Sequence, residues 1–248
     1  MQLYFGYIFP YMKKILQRLR SLWFAFTAPR IIRSVLTDSL TFLDRAALRD
    51  IYQYVQSCER RKLDGILIEA GCAAGGSAIV ITAAKGLSRQ LLVYDVFGMI
   101  PAPSNKDGED VLQRYNVIKQ GNAKGIGSRG YYGYEPDLLE QVEQNFSKHG
   151  FSTAKNNVML VKGLFSDTII GTEPVALAHL DGDWYDSVLV CLQRIVPRLV
   201  VGGILVIDDY DAWSRCRKAV DEYFADKIQD FKFVKKCRLN IIRLRRRN

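Results

Sequence analysis

Hydrophobic residues recur along the chain with two different periods, and the change between them separates two regions. Between Leu43 and Tyr54 the apolar positions have helical spacing, which predicts a helix over residues 41–57. Beyond residue 64, short apolar runs alternate with helical segments. These runs are residues 65–70, 91–96, 158–162, 175–180 and 203–207. Such alternation predicts βαβ units in a mostly parallel sheet with helices on both faces.

The last part of the chain has a different pattern. Two strand-like runs, residues 231–236 and 239–245, are separated only by Cys237 and Arg238. Because two residues cannot form a crossover helix, these strands are expected to pair as an antiparallel hairpin. The sequence therefore predicts an α/β fold with a seven-stranded, mostly parallel sheet that ends in an antiparallel C-terminal hairpin.

The sequence predicts an N-terminal arm, a main domain and a lid. Residues 1–58 are expected to form a helical arm and cap, in which residues 12–36 are basic, aromatic-rich helices interrupted at Pro29. Residues 59–248 are expected to form the main domain. Five glycines lie between residues 121 and 133, and a long loop of this kind is typical of a lid. We therefore predict a glycine-rich lid at residues 120–134, with a simple surface insertion as the alternative.

The net charge of +9 is concentrated at the two ends of the chain. Residues 1–37 contain six basic residues and residues 231–248 contain eight, and neither segment has an acidic residue. Residues 38–230 have 21 basic and 26 acidic residues, a net charge of −5. The charge therefore indicates how the protein is placed rather than what it acts on. Residues 1–36 are expected to pair subunits in a homodimer, with peripheral membrane contact or a neutral extension as alternatives.

Cysteine usage and hydropathy favour a cytoplasmic protein. The five cysteines are widely spaced and include no CxxC pair, which disfavours a disulfide framework or a zinc site. No apolar stretch reaches about 18 residues, so no spanning helix is expected. The basic cluster follows the apolar start, which is the reverse of a secretory signal. Met12 is an alternative initiator to Met1.

A glycine-rich turn follows the first predicted strand. The sequence IEAGCAAGGSA ends a strand at Glu69 and begins a helix near Ser77. Gly71 and Gly75 permit a tight turn close to a ligand, and the helix N-terminus presents free N–H groups. Asp95 ends the next strand, where an acid can accept hydrogen bonds from ribose hydroxyls. Together these features predict a nucleoside cofactor, with helix–strand packing and a solvated acid as the simpler alternatives.

Acidic residues follow two of the later predicted strands. They are Asp181, Asp183 and Asp186 after the fourth strand, and Asp208, Asp209 and Asp211 after the fifth. Because the carboxyl ends of parallel strands open into one crevice, these side chains are expected to lie together. Clustered carboxylates repel each other unless a cation lies among them, so Asp181, Asp208 and Asp209 are predicted to bind Mg²⁺. Asp186 and Asp211 are expected only to cap the following helices. Nucleic acid is disfavoured as a partner by this acidic crevice.

Several motifs around these residues resemble the macrocin O-methyltransferase family. They are HLDGDWYDS, PRLVVGGILVIDDYDAW, CRKAVDEYF, DVFGMIP and GLFSDT, within residues 65–225. The resemblance implies the Rossmann-like fold of class I S-adenosylmethionine-dependent methyltransferases, with S-adenosyl-L-methionine and Mg²⁺ as cofactors. It also implies methyl transfer to a sugar hydroxyl, so the partner would be a small-molecule glycoside, either a natural product or a surface glycan acceptor.

The same resemblance implies roles for individual residues. The metal ligands would be Asp181, Asp208 and Asp209, and Mg²⁺ would lower the pKa of the attacked hydroxyl. The cofactor site would be lined by Glu69, Gly71, Gly75, Ser77, Asp95, Ser166 and Asp167. Deprotonation of the metal-bound hydroxyl would be helped by Asp181, by Asp183 or by a lid residue such as Arg129 or Tyr131. His179 is a further catalytic candidate, although a packed strand histidine is the simpler interpretation.

Two other functions remain as alternatives. A catechol-type phenol O-methyltransferase would share the fold and the metal, but those enzymes place a lysine three residues after the first metal-binding aspartate. That position is Trp184 in this chain, which disfavours a phenol acceptor. The second alternative belongs to another class, a nucleic-acid-binding protein or methyltransferase that uses the basic termini.

Overall fold

Seven strands within residues 29–245, the part of the chain that the computed structural model describes, form one sheet. They are β1 (Ile66–Ala70), β2 (Leu91–Asp95), β3 (Val158–Lys162), β4 (Val175–Leu180), β5 (Leu199–Ile207), β6 (Phe231–Lys235) and β7 (Leu239–Arg243). The spatial order is β3-β2-β1-β4-β5-β7-β6. Strands β1 to β5 are parallel, and β7 is antiparallel to both β5 and β6. The predicted α/β fold with its C-terminal hairpin is confirmed.

Strand β5 begins earlier than its apolar pattern predicts. It starts at Leu199, and the glycine pair at 202–203 lies inside the strand rather than at its beginning. The register with β4 shifts between the pairs Val175–Leu199 and Leu177–Ile204, so the extra residues form an irregularity in the ladder. Gly202 has a φ of +78°, a conformation that side chains disfavour. The glycines therefore mark a bulge.

Helices cover both faces of the sheet. Within residues 29–245 they are α1 (Arg30–Thr37), α2 (Arg45–Arg60), α3 (Gly76–Ala84), α4 (Glu109–Lys119), α5 (Leu138–Lys148), α6 (Phe165–Thr168), α7 (Tyr185–Ile195) and α8 (Ser214–Phe224). The predicted helix over 41–57 is α2, which starts at Arg45 because Asp44 is its N-cap. The Asp44 Oδ1 accepts a hydrogen bond of 2.8 Å from the backbone N–H of Ala47.

The expectation that Asp186 and Asp211 cap helices is wrong. Helix α7 has Trp184 as its N-cap, and Asp186 lies within the first turn, where its Oδ1 is 2.9 Å from the Nζ of Lys106. Helix α8 has Trp213 as its N-cap. Asp211 lies before it and forms ion pairs with Arg217, at 3.0 Å, and Lys235, at 2.9 Å. Both aspartates therefore form surface ion pairs, and both N-caps are tryptophans in extended conformation.

Two apolar layers hold the helices on the sheet. One layer joins α1, α2, α3 and α5 to the sheet and includes the fully buried Ile32, Leu48 and Leu67. The other joins α7 and α8 to the opposite face and includes Ile68 and Leu192. Adjacent positions of β1 thus enter different layers, as a strand buried on both faces requires. Each such side chain contributes roughly 1.5–3 kcal/mol of transfer free energy on burial.

The topology places one crevice at the carboxyl ends of the strands. The strand order reverses between β1 and β4, which is the switch point where α/β sheets bind ligands. Among residues 29–245, no helix has both the length and the hydropathy needed to cross a bilayer. In the predicted arm, Pro29 is the N-cap of α1. The helix predicted over residues 12–28, and with it most of the dimer or membrane segment, lies outside the described residues.

Candidate active site

The glycine-rich turn between β1 and α3 is held close to β4. Gly71 has a φ of +90°, and a Cβ added there would lie 1.9 Å from the carbonyl oxygen of Asp181. Gly75, the N-cap of α3, has a φ of +89°. Ala73, between them, has a φ of +48°, which a side chain rarely adopts and which is typical of strained functional turns. Position 71 must therefore be glycine if the ends of β1 and β4 are to lie this close together.

Asp95, at the end of β2, holds the turn from the other side. Its Oδ2 accepts a hydrogen bond of 2.8 Å from the N–H of Cys72, and its Oδ1 accepts one of 2.8 Å from the N–H of Phe97. Burial raises the pKa of Asp95, although these backbone donors oppose the rise. Asp95 also lines the crevice, so its carboxylate fixes the turn and remains next to any ligand bound there.

A chain of polar contacts runs beneath the crevice. Ser77 donates a hydrogen bond to Oε1 of the fully buried Glu69, and Nδ1 of His179 is 3.1 Å from its Oε2. The Nε2 of His179 is 3.7 Å from Oδ1 of Asp208. Burial lowers the pKa of His179, but Glu69 and Asp208 outweigh that effect and raise it to about 10. These contacts connect helix α3, which follows the glycine-rich turn, to the predicted metal site.

Asp181, Asp208 and Asp209 come together as the sequence predicts. One ligand oxygen from each carboxylate lies within 4.8 Å of the others. Burial and the neighbouring carboxylates raise the pKa of Asp181 and of Asp209 well above their usual range. Burial also opposes ionisation of Asp208, but His179 and Arg238 hold its pKa below the usual value. The ionised form of this cluster is thus unfavourable by itself, and a cation among the carboxylates would stabilise it.

Asp183 lies next to this cluster, although it was not among the predicted metal ligands. It has a φ of +52°, its Oδ1 accepts a hydrogen bond of 2.8 Å from Nε1 of Trp213, and its N–H donates one of 3.2 Å to Oδ2 of Asp209. Burial raises its pKa to about 6, and the nearby Asp208 contributes. Asp183 therefore adjoins the three predicted metal ligands and lines both cavities of the crevice.

Two adjoining cavities open over these groups. The first has a volume of about 490 Å³ and extends from Gly71 and Asp95 to Leu164 and Phe165. The second has about 820 Å³ and extends over Asp208 and Asp209. They share the following residues: Gly71, Asp95, Ile100, Tyr132, Asp181 and Asp183. Because they share these residues, the two cavities are parts of one crevice that is open to solvent.

The residues of the predicted lid do not all face the second cavity. Tyr131 is almost fully buried and lines it, whereas Arg129 lines a separate hollow of about 310 Å³ and donates a 3.5 Å hydrogen bond to the carbonyl oxygen of Asp38. Phe42 completes the roof of the second cavity, with its ring centroid 6.2 Å from that of Tyr132. The structure therefore brings Tyr131 to the aspartates and does not bring Arg129.

Other predicted residues also lie away from the cavities. Glu69, Ser77 and His179 are fully or almost fully buried beneath the crevice and bond to one another. Ser166 and Asp167 are exposed, with a 2.8 Å hydrogen bond between their side chains. Their two predecessors in the chain line the first cavity instead, because the short helix α6 turns residues 166–167 outward.

Several site residues were not predicted from the sequence. They are Phe42, Arg114, Tyr132, Leu164, Phe165, Trp184, Trp213 and Arg238. The tryptophans stand beside the acidic motifs, so their place in the chain was a usable signal. Arg114 and Phe42 come from distant segments that only the fold brings together. Arg238 lies in the hairpin, and nothing in its neighbourhood along the chain points to Asp208.

Comparisons with known proteins identify the family of this chain. The profile of the family described as Macrocin-O-methyltransferase (TylF) matches residues 36–232. The chain is 30% identical over 193 residues to mycinamicin III 3''-O-methyltransferase of Micromonospora griseorubida, covering 75% of this chain and 71% of that protein. It is 33% identical over 165 residues to 8-demethyl-8-(2,3-dimethoxy-alpha-L-rhamnosyl)-tetracenomycin-C 4'-O-methyltransferase of Streptomyces olivaceus, covering 64% of this chain.

In that second comparison the chain spans only 58% of the relative's length. Among solved structures, the O-methyltransferase NovP superposes with a TM-score of 0.69 at 24% identity, covering 83% of each chain. This likeness supports the class I methyltransferase fold. The profile covers most of the chain, and it includes the glycine turn and both acidic motifs. The chain therefore belongs to the macrocin O-methyltransferase family.

Proposed function

We propose that this protein is an S-adenosyl-L-methionine- and Mg²⁺-dependent O-methyltransferase that acts on a sugar hydroxyl of a glycosylated natural product or surface glycan. The observation that carries the proposal is the carboxylate cluster of Asp181, Asp208 and Asp209 at the junction of two adjoining cavities. One cavity would hold the methyl donor and the other the acceptor. The named relatives, which are O-methyltransferases of glycosylated compounds, support the acceptor class.

The first cavity fits the methyl donor. Its floor is the turn at Gly71, and Asp95 lies at the end of β2, where an acid can accept hydrogen bonds from ribose hydroxyls. Leu164 and Phe165 offer an apolar wall for an adenine ring. The donor supplies an already activated methyl group when bound, so the protein's task is alignment with the acceptor oxygen.

The acidic cluster fits a hard divalent cation. Three carboxylates within 4.8 Å of one another are the oxygen donors that Mg²⁺ prefers, and burial makes their mutual repulsion costly. Asp181, Asp208 and Asp209 would hold the ion, which supplies Lewis acidity toward an acceptor hydroxyl. Asp183 lines both cavities and is outside this ligand set. We therefore propose that its carboxylate accepts the proton of the acceptor hydroxyl. Tyr131 and Phe42 would close over the sugar.

The test is methyl transfer from labelled S-adenosyl-L-methionine to a panel of glycosides and phenols, with and without EDTA. We expect transfer to at least one glycoside, loss of transfer in EDTA, and recovery when excess Mg²⁺ is added. Calorimetry with the methyl donor alone is the companion measurement. Absence of donor binding would contradict the enzyme assignment, and EDTA-resistant transfer would contradict the metal. Preference for phenols would favour the catechol-type alternative.

We also propose that the protein is a cytoplasmic homodimer whose subunits pair through residues 1–36. The support is compositional, since these residues combine aromatic side chains with basic ones. Light scattering of the full chain and of a variant lacking residues 1–28 is the test. A dimer that becomes monomeric on truncation is expected. A monomeric full chain that binds anionic vesicles would instead favour the membrane alternative.

A further inference from the structure

Arg238 lies beside the metal site because of the sheet topology. It occupies the short connection between β6 and β7, and β7 pairs antiparallel with β5. In that pairing Ile207 is opposite Leu239, so the next residue of one strand and the preceding residue of the other, Asp208 and Arg238, are neighbours. The hairpin thus places the guanidinium of Arg238 at the carboxyl end of β5.

The contact between Arg238 and Asp208 is close and sheltered. The Nε of Arg238 is 2.5 Å from Oδ1 of Asp208, and the two side chains are only 24% and 12% exposed. The same oxygen is 3.7 Å from Nε2 of His179, which within residues 29–245 has no hydrogen-bond partner. One oxygen of Asp208 therefore faces two nitrogen groups of the protein itself. An ion pair so shielded from water interacts more strongly than a surface pair.

The other two predicted ligands differ from Asp208. Within the described residues, no ion pair to a lysine or arginine is found for Asp181 or Asp209, of which Asp209 is buried and Asp181 is partly buried. The protein thus neutralises one carboxylate of the cluster and leaves the repulsion of the others in place. The cluster is therefore partly neutralised by the protein itself before any cation binds.

We propose that Arg238 is a resident counter-cation of the metal site, which stabilises the ion-free cluster and weakens the binding of the divalent ion. The proposal rests on the metal site of the proposed function. Arg238 is a positioning residue in this scheme, since it contacts a metal ligand and not the reacting atoms. Removal of its charge should increase repulsion among the carboxylates when no ion is present and strengthen the attraction for a divalent cation.

The experiment titrates the full chain with MgCl₂ alone in a calorimeter and measures Tm in EDTA and in saturating Mg²⁺. For Arg238→Met we expect roughly tenfold tighter Mg²⁺ binding, equal to about 1.4 kcal/mol, and a larger rise in Tm on adding Mg²⁺. Arg238→Gln is a second neutral variant in case the first does not fold. Arg238→Lys keeps the charge and should bind Mg²⁺ within about twofold of the wild-type protein.

Arg243→Met is the matched control on the same hairpin. Arg243 donates hydrogen bonds to the carbonyl oxygens of Pro197 and Leu199 and contacts no ligand of the site, so its loss should lower Tm equally with and without Mg²⁺. Unchanged or weaker Mg²⁺ binding by both neutral Arg238 variants would overturn this inference while leaving the metal site intact. Failure of the wild-type protein to bind Mg²⁺ would overturn both.

Discussion

The floor and the roof of the crevice are built in different ways. The floor consists of strand ends and the turn after β1, with Gly71 pressed against Asp181 and the acidic cluster fixed to β4 and β5. The roof consists of side chains from three separate segments, among them Phe42, Arg114 and Tyr131. The floor has few alternative conformations because the sheet's hydrogen bonds define it. Chemistry common to a family belongs on the floor, and the choice of acceptor belongs to the roof.

The largest effect should come from Gly71→Ala, which tests the rigidity of the floor. The added Cβ would lie 1.9 Å from the Asp181 carbonyl oxygen at a φ of +90°, so β1 and β4 must separate. We expect a loss of roughly 3 kcal/mol or more in the free energy of unfolding, measured by urea titration.

Gly121→Ala is the matched control for that substitution. Gly121 has a similar φ of +77°, but a Cβ there meets nothing within 4 Å, so only backbone strain of about 1 kcal/mol is expected. Equal losses in the two variants would show that the close approach of β1 to β4 does not decide the stability of the turn.

Asp181→Asn should have the next largest effect, because it removes a charged ligand from the floor. We expect methyl transfer to fall by at least about 100-fold, equal to roughly 3 kcal/mol, with Mg²⁺ binding weakened in calorimetry. Asp211→Asn makes the same chemical change just after β5, at an exposed aspartate that pairs with Arg217 and Lys235. Its activity should stay within about twofold of wild type. Full activity of the Asp181→Asn variant would contradict the assignment of Asp181 as a metal ligand.

Phe42→Ala should have a moderate effect that separates roof from floor. Phe42 lines the second cavity and not the first, so its loss should raise KM for the acceptor about fivefold, equal to about 1 kcal/mol. KM for the methyl donor should not change. Phe233→Ala, on β6, is the control with an aromatic residue away from the crevice. A rise in the KM for the methyl donor would instead show that Phe42 contributes to donor binding, which would contradict this prediction.

Arg129→Met should have the smallest effect. Its side chain lines the outer hollow and reaches the Asp38 carbonyl oxygen rather than the aspartates. Steady-state assays should show kcat and acceptor KM within about twofold of wild type. A large loss of kcat would mean that the lid residue enters the second cavity during turnover, and the proton-acceptor candidates would reopen.

The accuracy of the sequence-based predictions follows the same division. The strands, the hairpin and the meeting of Asp181 with Asp208 and Asp209 were predictable, because apolar runs define buried strands and parallel strands end at one edge. The start of α2 was misplaced by a few residues because a capping aspartate, not the apolar pattern, sets it. Residues 166–167 were predicted to line the cofactor site; in the structure they are exposed, and the two residues before them line the first cavity.

The sequence by itself determined the strands, the glycine turn and the identity of the clustered acids, since each can be recognised from residues close together in the chain. Only the tertiary structure decided that Glu69 and His179 lie under the crevice, that Tyr131 faces the cluster while Arg129 does not, and that Arg238 pairs with Asp208. These contacts join residues from 30 to 110 positions apart. Their partners are set by strand order and register, which no local pattern of polar and apolar residues specifies.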